Sequence, residues 1–177
     1  MANSVTSGEA AHLEADWNPT GSSDAVARRF ELVYRFRNHG STFLAVIDRG
    51  NRDAPGRLSP RQSPGSDGLT LSIEALPLSD PAPTYPEVPL ARLVAPGQTV
   101  EGVIRLRVPE TLPVATDDGT QQRVNIQRVR FCLGYAPFSE KGFVAEGDDW
   151  IPSEITIRQH QRRLCTAWHE LDLPPGG

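Results

Sequence analysis

Between Phe30 and Arg37 the chain alternates. Phe30, Leu32, Tyr34 and Phe36 are large and apolar, while Glu31, Arg35 and Arg37 between them are charged. Successive side chains leave a β-strand on opposite faces, so this segment reads as a strand with one buried and one solvated face. Weaker forms of the pattern recur at Ala11, Leu13, Ala15 and Trp17, at Leu69, Leu71, Ile73 and Ala75, and at Val100, Gly102, Ile104, Leu106 and Val108. No segment shows the wider spacing of an amphipathic helix. Sixteen prolines and fifteen glycines in 177 residues agree, because each interrupts a helix and each suits a turn between short strands. The length fills one core rather than two. The expected organisation is one all-β domain over residues 11–173, between a flexible N-terminal segment of residues 1–10 and a flexible tail of residues 174–177.

The punctuation sets the expected connections. Asn38-His39-Gly40-Ser41 is a turn signal, which makes Phe30 to Arg37 and Phe43 to Asp48 a hairpin with a loop of about four residues. Arg49 to Gly68 is a polar surface connection. The prolines at 77, 81, 83, 86 and 89 suit an extended crossing between sheets better than a polyproline ligand. Pro96-Gly97 fits a type II turn and Asp118-Gly119 a second turn. Val124 and Ile126 fall in one parity and Val129, Phe131, Leu133 and Tyr135 in the other, so a bulge is expected near Gln127-Arg128. Glu154 to His160, with Ile155 and Ile157 inward, and Leu164 to Leu173 read as the last strands.

Seven to nine strands with irregular connections imply a two-sheet antiparallel sandwich. The alternating strand ending in Arg37-Asn38-His39-Gly40, the Ala95-Pro96-Gly97-Gln98-Thr99 turn and Phe131-Cys132-Leu133-Gly134-Tyr135 resemble bacterial immunoglobulin-like domains. The resemblance is one of pattern over residues 11 to 170, without the Cys-Trp-Cys set of antibody domains. It implies an immunoglobulin-like sandwich that serves as a binding, adhesion, spacer or inhibitor module.

Charge narrows the partners. A formal net charge of −4 argues against general nucleic-acid binding, which needs basic surface to displace counterions. No stretch approaches the length of a membrane span, and Met1 to Glu9 has neither a basic nor an apolar region of a secretory leader. A soluble cytoplasmic chain is the expectation. Cys132 and Cys165 match no metal or redox spacing, and in a reducing compartment they are expected as free thiols. No cofactor or metal is expected. His160, His169 and Glu170 lack helical spacing, and Asp48-Arg49-Gly50-Asn51-Arg52-Asp53 carries two arginines where a calcium loop needs oxygen ligands.

Two constellations stand out. Lys141 is the only lysine among 18 basic residues, so the rest are arginines. Parity places Arg35, Arg37, Arg105 and Arg107 outward on strands that neighbour each other in an immunoglobulin-like order, a candidate anion patch. Glu14, Asp16 and Glu74 on flanking strands would neutralise it, and that self-compensated ladder is the favoured reading. The second constellation is Ala136 to Pro152, long for a connection, with Phe138, Phe143 and Trp150 among Glu140, Glu146, Asp148 and Asp149. Its rings are either presented as interface anchors or folded over an open end of the sandwich. The leading expectation is a non-enzymatic module that recognises a protein partner through end loops, with those rings and Glu146, Asp148 and Asp149 as the contact residues. Two alternatives stand beside it. One is a hydrolytic site built from Asp48, Asp53, Asp117, Asp118 or His39. The other is a structural subunit whose exposed sheet edges pair between chains, forming a homo-oligomer.

Overall fold

In a computed structural model, which describes residues 4–7, 10–20, 27–55, 60–64, 68–76, 88–115 and 119–171, the strictest alternation becomes an interior strand of a four-stranded sheet. The chain opens with β1 (Ser4–Ser7), β2 (Ala11–Pro19) and β3 (Ala27–Asn38). It continues through β4 (Leu44–Val46), β5 (Gly50–Asn51), β6 (Ala54–Pro55), β7 (Arg61–Pro64) and β8 (Gly68–Ile73). Then come β9 (Arg92–Val94), β10 (Thr99–Pro109), β11 (Thr111–Ala115), β12 (Gln121–Asn125) and β13 (Arg128–Pro137). The last part adds β14 (Phe143–Glu146), β15 (Asp149–Pro152), a π-helical turn at Thr156–His160, β16 (Arg162–Cys165) and β17 (His169–Glu170). The fold is all-β, as the alternation predicts.

The first sheet has the order β1-β2-β3-β10 and is antiparallel throughout, with Leu13 opposite Phe36 and Tyr34 opposite Gly102. The second has the order β7-β8-β13-β4-β9, with β16 and β17 also on β13. Their inward side chains share one core. Leu13, Leu32, Tyr34 and Phe36 of the first sheet meet Leu71, Phe131, Leu133 and Tyr135 of the second. The Tyr34 and Phe131 rings lie 5.2 Å apart, and those of Phe36 and Tyr135 5.4 Å. Each such side chain contributes about 2 kcal/mol by leaving water, so the two alternating faces hold each other.

Several expectations are corrected. The second sheet is mixed rather than antiparallel, because β8 runs parallel to β13, with Leu71 opposite Phe131. Alternation reports which face is buried and not the direction of the neighbouring strand. The Asn38–Ser41 turn does not close a hairpin; it carries the chain from β3 to β4, which pairs with β13 and β9 in the other sheet. Asn38 is fully buried there, donating through Nδ2 to the carbonyls of Thr42 and Val94 and accepting from the Gly40 N–H. The side chain thus satisfies the corner's backbone, which a two-strand hairpin would not need.

The parity change near Gln127 is a strand break rather than a bulge. β12 turns back on β11, and Ile126 donates to the Glu110 carbonyl before β13 begins in the other sheet. Glu154 to His160 is a helical turn, with Ile155 exposed and Ile157 buried. Two isoleucines two residues apart cannot distinguish a short strand from one turn of helix. The expected strand at Leu164 to Leu173 divides into β16 and β17, with residues 172 and 173 outside the described residues. Ser4–Ser7, within the segment expected to be flexible, pairs with β2. The proline-rich stretch lies outside the described residues over 77–87, as does Asp118. Gly97 has a φ of 77°, as a type II turn at Pro96-Gly97 requires. No helix among the described residues is long and apolar enough to cross a membrane.

Cys132 and Cys165 are bonded rather than free. They sit opposite each other in the β13–β16 pair and form a disulfide across 33 residues of sequence. The register that brings them together is invisible in their spacing. Replacing both with alanine is expected to lower the free energy of unfolding in urea by about 3 kcal/mol, mainly by freeing the unfolded chain. Reductant should move the wild-type midpoint in the same direction and leave the variant's where it was.

Candidate functional site: the hairpin and the charged clusters

The segment from Ala136 to Pro152, expected as a long loop, leaves the end of β13 and folds into a hairpin over Phe143–Pro152. β14 and β15 pair Phe143 with Pro152, Val144 with Ile151, Ala145 with Trp150 and Glu146 with Asp149. Gly147 turns the chain at a φ of 61°, a conformation other residues resist. Alternation then sorts the hairpin into two faces. Phe143 and Trp150 point inward, where Phe138 joins them with ring centroids at 5.3 and 4.8 Å. Together with Ala45, Ile47, Ala91, Ala136 and Ile157 they form a second apolar cluster, separate from the main core. The three rings therefore lie tucked under the hairpin: Phe143 is buried and the other two are half-buried.

Backbone hydrogen bonds fix this lid in place. Ala91 and Trp150 exchange both N–H···O bonds at 2.8 Å, joining β15 to the chain entering β9. At its other end, Thr156 Oγ1 donates to the Gly142 carbonyl at 2.9 Å, and Ser153 Oγ accepts from the Thr156 N–H at 3.2 Å. The outward face carries Val144, 65% exposed, beside half-buried Ile151, with exposed Glu146 and Asp148 at the tip. Asp149 is held by Arg49, whose Nε donates to its Oδ1 at 3.0 Å. Val144 was not singled out in the sequence. The signal was there, since it alternates with Phe143.

The four arginines lie on adjacent strands, because β3 pairs with β10. Arg35 donates to Asp16 on one side at 2.9 Å and to Glu101 on the other at 3.1 Å. The hydrogen bond and the charge of Asp16 lead in strengthening the guanidinium's hold on its proton, with Glu101 adding to them. Arg105 pairs with Glu31 at 3.6 Å. Arg37 stands between His12 and Thr99, and Arg107 opposite Arg29. Two of the four are thus matched across the sheet, by partners that include Glu31 and Glu101. Glu74 is no part of this ladder. It lies beyond β8 in the other sheet and binds Arg163, because parity assigns a face but not a sheet.

A third group was missed. Asp48 is 3% exposed at the edge between the sheets, where it accepts from Tyr34 Oη at 2.8 Å and from Arg92 Nη2 at 2.5 Å. Arg92 also donates to the Glu101 carbonyl at 3.0 Å, which ties β9 to β10. Gly102 makes the arrangement possible, since a Cβ there would sit 2.2 Å from the Tyr34 Oη. Burial and then Asp48 push the Tyr34 phenol far above its ordinary range, so it stays protonated and donates. Burial also raises the Asp48 carboxyl, against the lowering pull of Arg92, the Tyr34 hydrogen bond and Arg49. In sequence Asp48, Tyr34 and Arg92 are an isolated acid, a core aromatic and a surface arginine.

Of the residues of the hydrolytic alternative, the three that are described each have other neighbours. Asp48 is engaged by Tyr34 and Arg92, Asp53 is exposed 3.9 Å from Arg52, and the His39 ring lies 5.8 Å from that of His12. Asp117 and Asp118 are outside the described residues. On the outer face of the second sheet, the guanidiniums of Arg128 and Arg130 lie 4.7 and 4.6 Å from the Trp168 ring. That ring already has its cations. No group of three or more His, Cys, Asp or Glu side chains that could hold a metal occurs among the described residues. The chain matches no protein-family model, curated protein or solved structure.

Proposed function

We propose that the chain is a non-enzymatic recognition module, an immunoglobulin-like packing of two sheets that binds a protein partner through the β14–β15 hairpin. The observation that carries this reading is the division of labour in the hairpin. Phe138, Phe143 and Trp150 anchor it from below, and Val144 and Ile151 face out beside the acidic tip of Glu146 and Asp148. An apolar centre with a charged rim on a rigid element is the composition of a protein interface. The rings supply the platform, and the contact passes to the residues that alternate with them. The acidic rim calls for a partner that offers an apolar side chain flanked by arginine or lysine.

The bonded Cys132–Cys165 pair favours an oxidising compartment over the reducing cytoplasm expected from the sequence. The test is comparative capture from native extract. Val144→Asp combined with Glu146→Lys and Asp148→Lys should reduce recovery of the captured partner roughly tenfold or more, with an unchanged circular dichroism spectrum. Arg37→Ala, on the other sheet, should capture as wild type. Equal recovery by the hairpin variant would end this reading.

A further inference from the structure

We propose that β10 is a self-association edge, and that two copies of this chain join by antiparallel β10–β10 pairing centred on Val103. Strand β10 is 11 residues long, and among the described residues only β3 pairs with it. Two hydrogen bonds establish which way its backbone groups point. The Gln98 carbonyl accepts from the Asn38 N–H on the β3 side, whereas the Glu101 carbonyl accepts from Arg92 away from β3. In an antiparallel strand each residue directs its N–H and C=O to one side, and the side alternates. The even-numbered residues therefore bond to β3, and Glu101, Val103, Arg105 and Arg107 direct their backbone groups to the free edge. From 100 to 108 the strand contains no proline, which would have blunted such an edge.

Charge and register single out a second copy of the chain as the occupant. Pairing about Val103 sets Val103 opposite Val103 of the second copy, and Glu101 opposite Arg105 of the second copy, twice. Within one chain, Glu14 stands opposite Arg35, Arg35 opposite Glu101, and Arg105 opposite Glu31. The dimer joins these into one row of strictly alternating charge. It runs Glu14, Arg35, Glu101, then Arg105 and Glu31 of the second copy. In the neighbouring row Val33 and Val103, the latter 52% exposed, meet the same pair of the second copy. A one-residue slip would turn one copy's outward side chains to the other face, and a slip of two residues either way sets Val103 against Arg105 or Glu101 and breaks both rows. The Glu101 carbonyl keeps a second lone pair for the new bond while Arg92 holds the first.

The test is light scattering over a concentration series. Wild-type chain should show a monomer–dimer equilibrium. Glu101→Arg alone and Arg105→Glu alone each place like charges opposite each other twice, and each should raise the dissociation constant roughly tenfold or more. An equimolar mixture of the two variants restores opposite charges at both contacts and should recover dimer at wild-type strength. Amide exchange at Val103 and Arg105 should slow with concentration in wild type and in the mixture, but in neither variant alone. A monomer at every concentration, a dimer insensitive to both variants, or a mixture that stays monomeric would each overturn the proposal. Unchanged circular dichroism confirms that each variant folds, and the mixture controls for any residual perturbation.

Discussion

Replacing Phe138, Phe143 and Trp150 together by alanine is expected to unfold the protein rather than to leave a folded scaffold without its contact residues. Phe143 is 4% exposed and its ring lies against that of half-buried Phe138, which in turn meets half-buried Trp150, and Ile47, Ala91, Ala136 and Ile157 line the same cluster. Truncating a buried phenylalanine costs about 3–5 kcal/mol, and the half-buried rings somewhat less each. The sum is on the order of 8 kcal/mol, comparable with the whole stability of an ordinary domain. Phe143→Ala alone, at about 3 kcal/mol, leaves a measurable transition and serves as the quantitative version. Urea unfolding followed by near-ultraviolet circular dichroism reads both. A triple variant with wild-type spectrum and midpoint would mean that the rings are presented after all, and would return the contact role to them.

This outcome matters for the functional reading because it separates platform from contact. If the rings hold the hairpin, their loss abolishes partner capture trivially, and only outward substitutions such as Val144→Asp test recognition. The second apolar cluster also explains why the outer side of the second sheet is apolar at one end. Ala45 and Ala136 leave β4 and β13 away from the main core, and small side chains there let the hairpin lie flat on the sheet.

The parts legible in the sequence were those governed by a single strand's own periodicity. Leu32, Tyr34 and Phe36 alternate, and each is buried; Val100, Ile104 and Leu106 likewise. Adjacency of β3 and β10, and hence of the arginines, followed from an assumed order and agrees with the pairing found. What escaped depends on pairs far apart in sequence. The parallel setting of β8 against β13, the Cys132–Cys165 register and the transfer of the chain at Asn38 are all choices of partner, which periodicity does not encode. Short elements escaped for a second reason. Four residues such as Phe143–Glu146 are too few to establish a period. The Asp48 cluster escaped because its members come from β3, β9 and the chain just after β4, and none carries a local signature.

That cluster gives the remaining large effect. Asp48→Ala is expected to cost about 4 kcal/mol, because it strands the buried Tyr34 hydroxyl and removes the counter-charge of Arg92. Asp48→Asn keeps an acceptor oxygen for Tyr34 and should cost less, about 1–2 kcal/mol. The two causes acting on the carboxyl have opposite consequences for pH. If the ion pair with Arg92 dominated, the folded state would prefer the carboxylate and stability would be lost on acidification. Burial is the larger influence, and it raises the folded-state pKa above the ordinary 3.8. The folded state then binds this proton more tightly than the unfolded state. The contribution is fully present below 3.8 and disappears as pH climbs through the raised value. Unfolding free energies measured in urea from pH 3 to pH 8 (about the range accessible before other groups dominate) should therefore show wild type losing stability relative to Asp48→Asn as pH rises, then running parallel to it. A difference that grows with pH would instead assign control of this carboxyl to Arg92. In that case the inter-sheet clamp of Asp48, Tyr34 and Arg92 would be a strong ion pair rather than a buried acid held by its hydrogen bonds.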